Sequence, residues 1–321
     1  MRYLLFQAVD SAAESTPDAP AIRYNGNNIT YEELSRRSSN LAQVLVGHGL
    51  KRGDRVGIYM NKSAESAVAL YGIMKAGGAY VPLDPFAPES RTGYVIRDCG
   101  IRHLVTNDSK ISSLEKIYAD GSPLEHIIGI QKYVDLPIEC TTWDDVYSAP
   151  SKVPISNLTE QDLAYILYTS GSTGVPKGIM HTHRSGLSFA EWGAKTYGLT
   201  SADRLSNHAP LHFDLSTFDF FAGAIVGATT IIIPEALTKF PTNMAKFIQE
   251  EKITVWYSVP FALIQLLLHG KLESRDYSAL RWILFAGEVF PTKHLRQLMA
   301  LLPNIRFSNL YGPTETNVCT Y

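Results

Sequence analysis

The stretch from Leu163 to Gly178 gathers the residues of this chain best suited to holding a polyanion. An apolar run ending at Tyr168 gives way to Thr169, Ser170, Gly171, Ser172, Thr173 and Gly174, and then Val175 and Pro176 lead to Lys177 and Gly178. Glycines let backbone N–H groups close on an anion, the hydroxyls add donors, and Lys177 adds a mobile positive charge. The chemistry this suits is phosphate binding at a single loop. Two rival motifs fail on spacing. A Walker loop needs glycine directly before the lysine and Ser or Thr directly after it, where this chain has Pro176 and Gly178. A nucleophile elbow needs Gly-x-Ser-x-Gly, and here Gly171 and Ser172 are adjacent. His181, His183, His208 and His212 cluster in sequence, but no carboxylate or third ligand is spaced with them, so they read as hydrogen-bonding histidines.

Such a loop must be carried by a strand, and strand–helix alternation runs almost from end to end. Residues 55–60, 79–83, 101–106, 163–168, 227–233, 253–258 and 281–285 read as strands. Residues 62–75, 242–251, 261–269, 292–302 and a segment from about 184 read as helices. The amino terminus reads as an amphipathic helix and not as a signal peptide, because Asp10 and Glu14 interrupt it. This pattern predicts an α/β fold with two lobes of largely parallel sheet flanked by helices, and a seam near 145–160. The 321 residues are 45% hydrophobic, enough for a large core. Lys plus Arg number 29 against 31 Asp plus Glu, a net charge of −2, so there is no basic excess to neutralise a nucleic-acid backbone. Residues 220–234 form the longest uncharged apolar stretch, too short to span a bilayer. Cys99, Cys140 and Cys319 lie far apart without metal or redox spacing, which points to a reduced, cytoplasmic setting.

Tyr168 to Gly178 resembles the phosphate-binding signature of the adenylate-forming enzymes, specifically the amino-acid adenylation domains of nonribosomal peptide synthesis. Four further motifs of that family stand in order: Thr30–Leu34, Lys75–Asp84, Phe213–Ser216 and Asn309–Glu315. The resemblance implies the fold of the large amino-terminal core of those enzymes and an AMP-forming ligase reaction. In it, a carboxylate and ATP give an acyl-adenylate and pyrophosphate, and a thiol then takes the acyl group. It implies that Thr169, Ser170, Gly171, Ser172, Thr173, Gly174 and Lys177 hold the β- and γ-phosphates, and that Thr314 contacts the α-phosphate. Glu315 would hold Mg²⁺, for which a carboxylate is a suitable hard ligand. Tyr311 would stack on adenine beside Gly287 and Glu288, with Asn309 and Gly312 completing the nucleotide motif. Phe213 would gate the carboxylate's approach.

By the same resemblance the acyl pocket is lined by Asp214, Leu215, Phe218, Tyr257, Leu284, Ala286, Leu310, Val318 and Cys319. Asp214 is the one charge, suited to pair an amino acid's α-ammonium or imino group, and the rest favours a compact apolar side chain. As a set these positions look like those of the free-standing L-proline adenylating ligases, which load proline on the phosphopantetheine thiol of a carrier protein in pyrrole- and anatoxin-type pathways. Thr30 follows so soon after Met1 that a stand-alone ligase is expected. The family's ribose-binding Thr-Gly-Asp segment, and its small domain with a catalytic lysine, would come after Tyr321, so the complete reaction is not expected of these 321 residues by themselves. A coenzyme A ligase for a plain carboxylic acid would use the same loop but has no need of Asp214. A nucleotide- or carrier-binding module without turnover is the third reading.

Overall fold

A computed structural model describes residues 2–131, 136–152, 157–170 and 174–321. After the helix Gln7–Ser15 come β1 (Pro20–Tyr24) and β2 (Asn27–Thr30), then β3 (Arg55–Tyr59), β4 (Ala79–Pro82), β5 (His103–Thr106), β6 (His126–Ile128) and β7 (Glu139–Thr141). Next are β8 (Leu163–Ser170), β9 (Pro176–Thr182), β10 (Arg204–Asn207), β11 (Thr229–Ile232), β12 (Val255–Ser258), β13 (Trp282–Phe285) and β14 (Arg306–Asn309). The chain forms two compact units. One comprises the residues up to Asp18 and Tyr31–Leu187, the other Ala19–Thr30 and Ser188–Tyr321.

The first unit is built on a sheet of order β7-β6-β5-β3-β4-β8-β9 among the described residues. Its strands are parallel except for the antiparallel hairpin of β8 and β9, in which Tyr168 faces Gly178 and Thr169 faces Lys177. The sequence pattern ends the strand at 168 and puts no strand before the helix near 184. β9 gives no apolar signal because it lies at the sheet edge, with Lys177 and Met180 exposed. This hairpin also corrects the seam expected near 145–160. β8 pairs with β4, so the chain stays in the first sheet until after residue 182.

Inside this unit the helix Ala64–Lys75 starts where Ser63 caps it. The Ser63 hydroxyl accepts from Ser66 N at 3.2 Å and the Ser66 hydroxyl accepts from Ser63 N at 2.9 Å. Its last residue, Lys75, is fully buried and donates to Asp10 Oδ1 at 2.6 Å and to the Ser35 carbonyl at 3.0 Å. A buried ammonium needs such partners to offset its lost hydration.

The second unit has the order β14-β13-β12-β10-β11-β1-β2, parallel except for the β1–β2 hairpin. Alternation along the strands divides its core in two. Val255, Tyr257 and Leu284 join Phe218 and Leu205 on one face, while Trp256, Ile283 and Phe285 join Ile231 and Met244 on the other. No helix among the described residues is long and apolar enough to cross a membrane.

Candidate functional site

In parallel α/β sheets ligands bind at the carboxyl ends of the strands, where side chains leave the sheet and backbone groups are free. Two candidate elements stand at such places, one in each unit.

In the second unit a cavity of about 40 Å³ lies off the ends of β12 and β13. By that measure it holds a few waters. Tyr257 reaches it from β12, and Ala286 and Gly287 from the turn after β13. Gly287 takes a φ of 91°, a left-handed turn that suits glycine. Asp214 and Leu215 arrive from the segment after β10, where consecutive turns follow Pro210. The Thr217 hydroxyl donates to the Asp214 carbonyl at 2.6 Å, and that of Ser216 to the Phe213 carbonyl at 2.7 Å. A π-helical turn, Phe218–Ala222, follows, a rare geometry that recurs at functional sites. It seats Phe218, fully buried, edge-on to Tyr257 with ring centroids 5.5 Å apart. Gly193 makes the room, since a Cβ there would stand 2.7 Å from the Phe218 ring.

Residues 311–320 close the cavity as a tight loop. Tyr311 N donates to the Thr320 carbonyl at 2.9 Å, and Cys319 N to the Tyr311 carbonyl at 2.7 Å. Gly312 is needed there because a Cβ would approach the Asn317 carbonyl to 2.5 Å. Val318 lines the cavity, and so do two residues that sequence reasoning did not single out, Phe189 and Asn317. Asn317 adopts a φ of 58° and is buried.

The carboxyl of Asp214 is pushed upward by burial, against the Thr314 hydroxyl and the Leu215 N–H that bond to it and favour ionisation. Burial, with Asp214 and Asp219 nearby, drives the Tyr257 phenol far above its ordinary range, so it stays a neutral donor. The second of these carboxylates, Asp219, is itself buried and accepts from Asn207 Nδ2 at 3.1 Å.

Of the expected acyl-pocket residues, Asp214, Leu215, Tyr257, Ala286 and Val318 come together on the cavity. Phe218, Leu284 and Leu310 are buried in the apolar cluster around it. Cys319 is exposed, 3.0 Å from the Thr316 hydroxyl. Among the expected nucleotide residues Gly287 and Gly312 line the same cavity, while Tyr311 and Phe213 are exposed rings. Glu288 is exposed and accepts from Phe261 N at 3.2 Å, and Asn309 and Glu315 are exposed as well.

In the first unit, Thr169 and Lys177 face each other on β8 and β9, with Lys177 exposed. Gly174 has a φ of 81° and also lies open. Ser170 ends β8, with its side chain outside the described part, and Gly171, Ser172 and Thr173 lie outside the described residues. His181 stacks on Tyr165 with centroids 4.6 Å apart, and His183 Nδ1 accepts from Leu5 N at 3.2 Å. Burial lowers the His183 pKa to about 4, despite the opposing pull of Asp162.

The model of the AMP-binding enzyme family matches residues 9–321. The chain belongs to that family. A curated relative, an L-proline--[L-prolyl-carrier protein] ligase of Pseudomonas fluorescens, is 36% identical over 99% of this chain and 62% of its own length. One of the same description from Streptomyces coelicolor is 38% identical over 91% of this chain and 56% of its own. The chain thus spans about three-fifths of the length of these relatives. Among solved structures, the nonribosomal peptide synthetase FmoA3 superposes with a TM-score of 0.83 at 30% identity, covering 99% of this chain and 32% of that one. The anthranilate CoA ligase AuaEII superposes with a TM-score of 0.90 at 24% identity, over 99% of this chain and 62% of that one, a likeness of fold. An AMP-binding enzyme fold therefore carries the cavity and the hairpin.

Proposed function

We propose that the protein activates L-proline with ATP to prolyl-AMP and pyrophosphate, and passes the prolyl group to the phosphopantetheine thiol of a carrier protein. The observation that carries this reading is a single carboxylate, Asp214, on a small cavity whose other polar side chains, Tyr257 and Asn317, are uncharged. The names of the two curated ligases support the choice of amino acid and of acceptor.

Proline's ring nitrogen is cationic at neutral pH, and Asp214 would pair it. A cation there without a partner would cost several kcal/mol. Leu215 and Tyr257, backed by Phe218 and Leu284, would enclose the ring methylenes, each worth about 0.8 kcal/mol when buried. The carboxylate oxygen attacks the α-phosphorus, the bond to the β-phosphate oxygen breaks, and negative charge grows on the leaving pyrophosphate. Lys177 and the hydroxyls of Thr169, Ser170, Ser172 and Thr173, with the N–H groups of Gly171 and Gly174, would stabilise that charge. Thr314 would serve the α-phosphate, Tyr311 the adenine with Gly287, Glu288, Asn309 and Gly312 around it, and Phe213 would shield the reacting carboxylate.

Glu315 is an exposed carboxylate, and no three His, Cys, Asp or Glu side chains among the described residues are grouped to hold a metal by themselves. That suits Mg²⁺, which takes one or two protein carboxylates and fills its shell from phosphate and water. When bound it would neutralise phosphate charge. A cytoplasmic setting accords with three free cysteines.

The deciding test is amino-acid-dependent exchange of pyrophosphate into ATP by the full-length protein, over a panel of amino acids and plain carboxylic acids. A maximum at proline is expected. A maximum at valine, phenylalanine or a charged amino acid would overturn proline, and activity only with plain acids would overturn amino-acid activation itself.

A further inference from the structure

The β8–β9 hairpin meets a helix terminus through one phenol. Tyr168 Oη donates to Asp98 Oδ2 at 2.5 Å and stands 3.1 Å from Cys99 Sγ, where the helix Glu89–Asp98 ends. A phenol has one proton, so with that proton directed to Asp98 the thiol of Cys99 is the donor to Tyr168. The Cys99 carbonyl in turn accepts from Arg55 Nε at 2.7 Å, and Arg55 opens β3 in the middle of the sheet. Tyr168 is therefore linked through two hydrogen-bonded steps to a central strand.

The place of this residue along the hairpin matters. Side chains alternate along a strand, so Tyr168 shares a face with Ile166, and both pack on the apolar cluster under the helix. Thr169 then points to the opposite face. Across the ladder Tyr168 is paired with Gly178, and Thr169 with Lys177. A Cβ at residue 178 would come within 3.1 Å of two carbons of the Tyr168 ring, so glycine lets the ring lie across the partner strand. The Tyr168–Gly178 rung is thus held on one face by the helix end and immediately precedes the rung of Thr169 and Lys177.

We propose that Tyr168, anchored by Asp98 and Cys99, is a positioning residue for ATP: it fixes the register and direction of the hairpin from which Thr169 and Lys177 reach the phosphates. The proposal rests on reading that hairpin as the phosphate-binding element. Tyr168 touches no substrate in this scheme, and its effect passes through residues 169 and 177.

The test is Tyr168→Phe in the full-length protein, which keeps the ring and removes both hydrogen bonds. The expected result is a rise of about tenfold in KM for ATP, with KM for the amino acid within about twofold of the parent. Amide exchange at residues 177 and 178 should quicken while β3 and β4 stay protected. Asp98→Asn retains an acceptor for the phenol and should keep KM for ATP within about threefold, whereas Asp98→Ala, at an exposed residue, should approach the Tyr168→Phe value. An unchanged KM for ATP in Tyr168→Phe and Asp98→Ala would overturn the proposal, as would parallel rises in both KM values, which mark general loosening. Lys177→Ala separates the two levels. If it weakens ATP while Tyr168→Phe does not, the anchoring role is wrong and the phosphate reading stands. If Lys177→Ala has no effect, the phosphate reading is wrong and the anchoring role goes with it.

Discussion

Replacing Asp214 by Asn removes one charge and little else. Asn keeps an acceptor for the Thr314 hydroxyl and the Leu215 N–H that bond to the carboxylate. The substrate's ring cation would then lose its ion partner inside the cavity. Breaking a buried pair costs about 3–5 kcal/mol. Burial raises the pKa of the free carboxylate, and that desolvation is met when the protein folds, so the ring cation gains the pairing without incurring it again. The lower figure of about 3 kcal/mol corresponds to about 100-fold in kcat/KM at 1.36 kcal/mol per decade. The assay is pyrophosphate exchange with proline varied at saturating ATP, and KM for ATP should remain within about twofold. The parent should also show the titration itself. With a raised pKa, Asp214 takes up its proton at higher pH than an ordinary carboxylate, so KM for proline should climb as pH falls through that value. In Asp214→Asn the climb should vanish. An Asn variant with proline kcat/KM within about twofold of the parent would refute the pairing argument.

Lys177→Ala should raise KM for ATP by about 10- to 100-fold, the loss of charge-assisted hydrogen bonds worth about 1.5–3 kcal/mol, and unaltered ATP kinetics would contradict the role. Glu315→Gln should shift the Mg²⁺ dependence of exchange upward by about tenfold or more, and full activity at low Mg²⁺ would contradict it. His183 is held neutral in the folded chain with a pKa of about 4, below the unfolded value of about 6.5, so its contribution to stability is complete above that value and is lost as pH falls toward 4. The loss by pH 5 is about 2 kcal/mol in denaturant melts. A His183→Gln variant with as steep an acid decline as the parent would dismiss the assignment. Gly193→Ala should press on the Phe218 ring, costing about 1–3 kcal/mol and raising KM for proline alone, and wild-type stability and kinetics would show that the ring is free to move.

The strands legible in the sequence are those whose side chains are buried on both faces. β3, β12 and β13 read as short apolar runs because helices cover both sides of a parallel sheet. The edge strands are another matter. β9, β14 and β2 carry exposed or half-exposed polar residues, so nothing in their periodicity separates them from loops. For the cavity, Asp214, Tyr257 and Ala286 are legible only through the resemblance to the adenylation domains, because by themselves Tyr257 and Ala286 read as parts of buried strands. Phe189 and Asn317 do not stand out. The first reads as one apolar position of an amphipathic helix, and the second owes its place to a left-handed backbone set by the 311–320 loop. That helix also carries Gly193, whose purpose appears only with the Phe218 ring beside it.

The β1–β2 hairpin has a bearing on how the protein is made. Ile22 of β1 pairs with Thr230 of β11, about 200 residues further along the chain. At roughly 5–20 residues per second, a ribosome needs about 10–40 s to deliver the partner strand after the hairpin has emerged. During that interval β1 waits with an open apolar edge, Ala21 and Ile22 among its residues, in competition with every other unpaired strand in the vicinity. Chaperone demand should therefore fall early in translation, and slowing codons placed between positions 30 and 229 should lower the soluble yield more than the same codons placed after 232. The same connectivity governs module exchange. A second unit transplanted as residues 188–321 leaves one side of β11 bare, and a graft that folds must bring residues 19–30 with it.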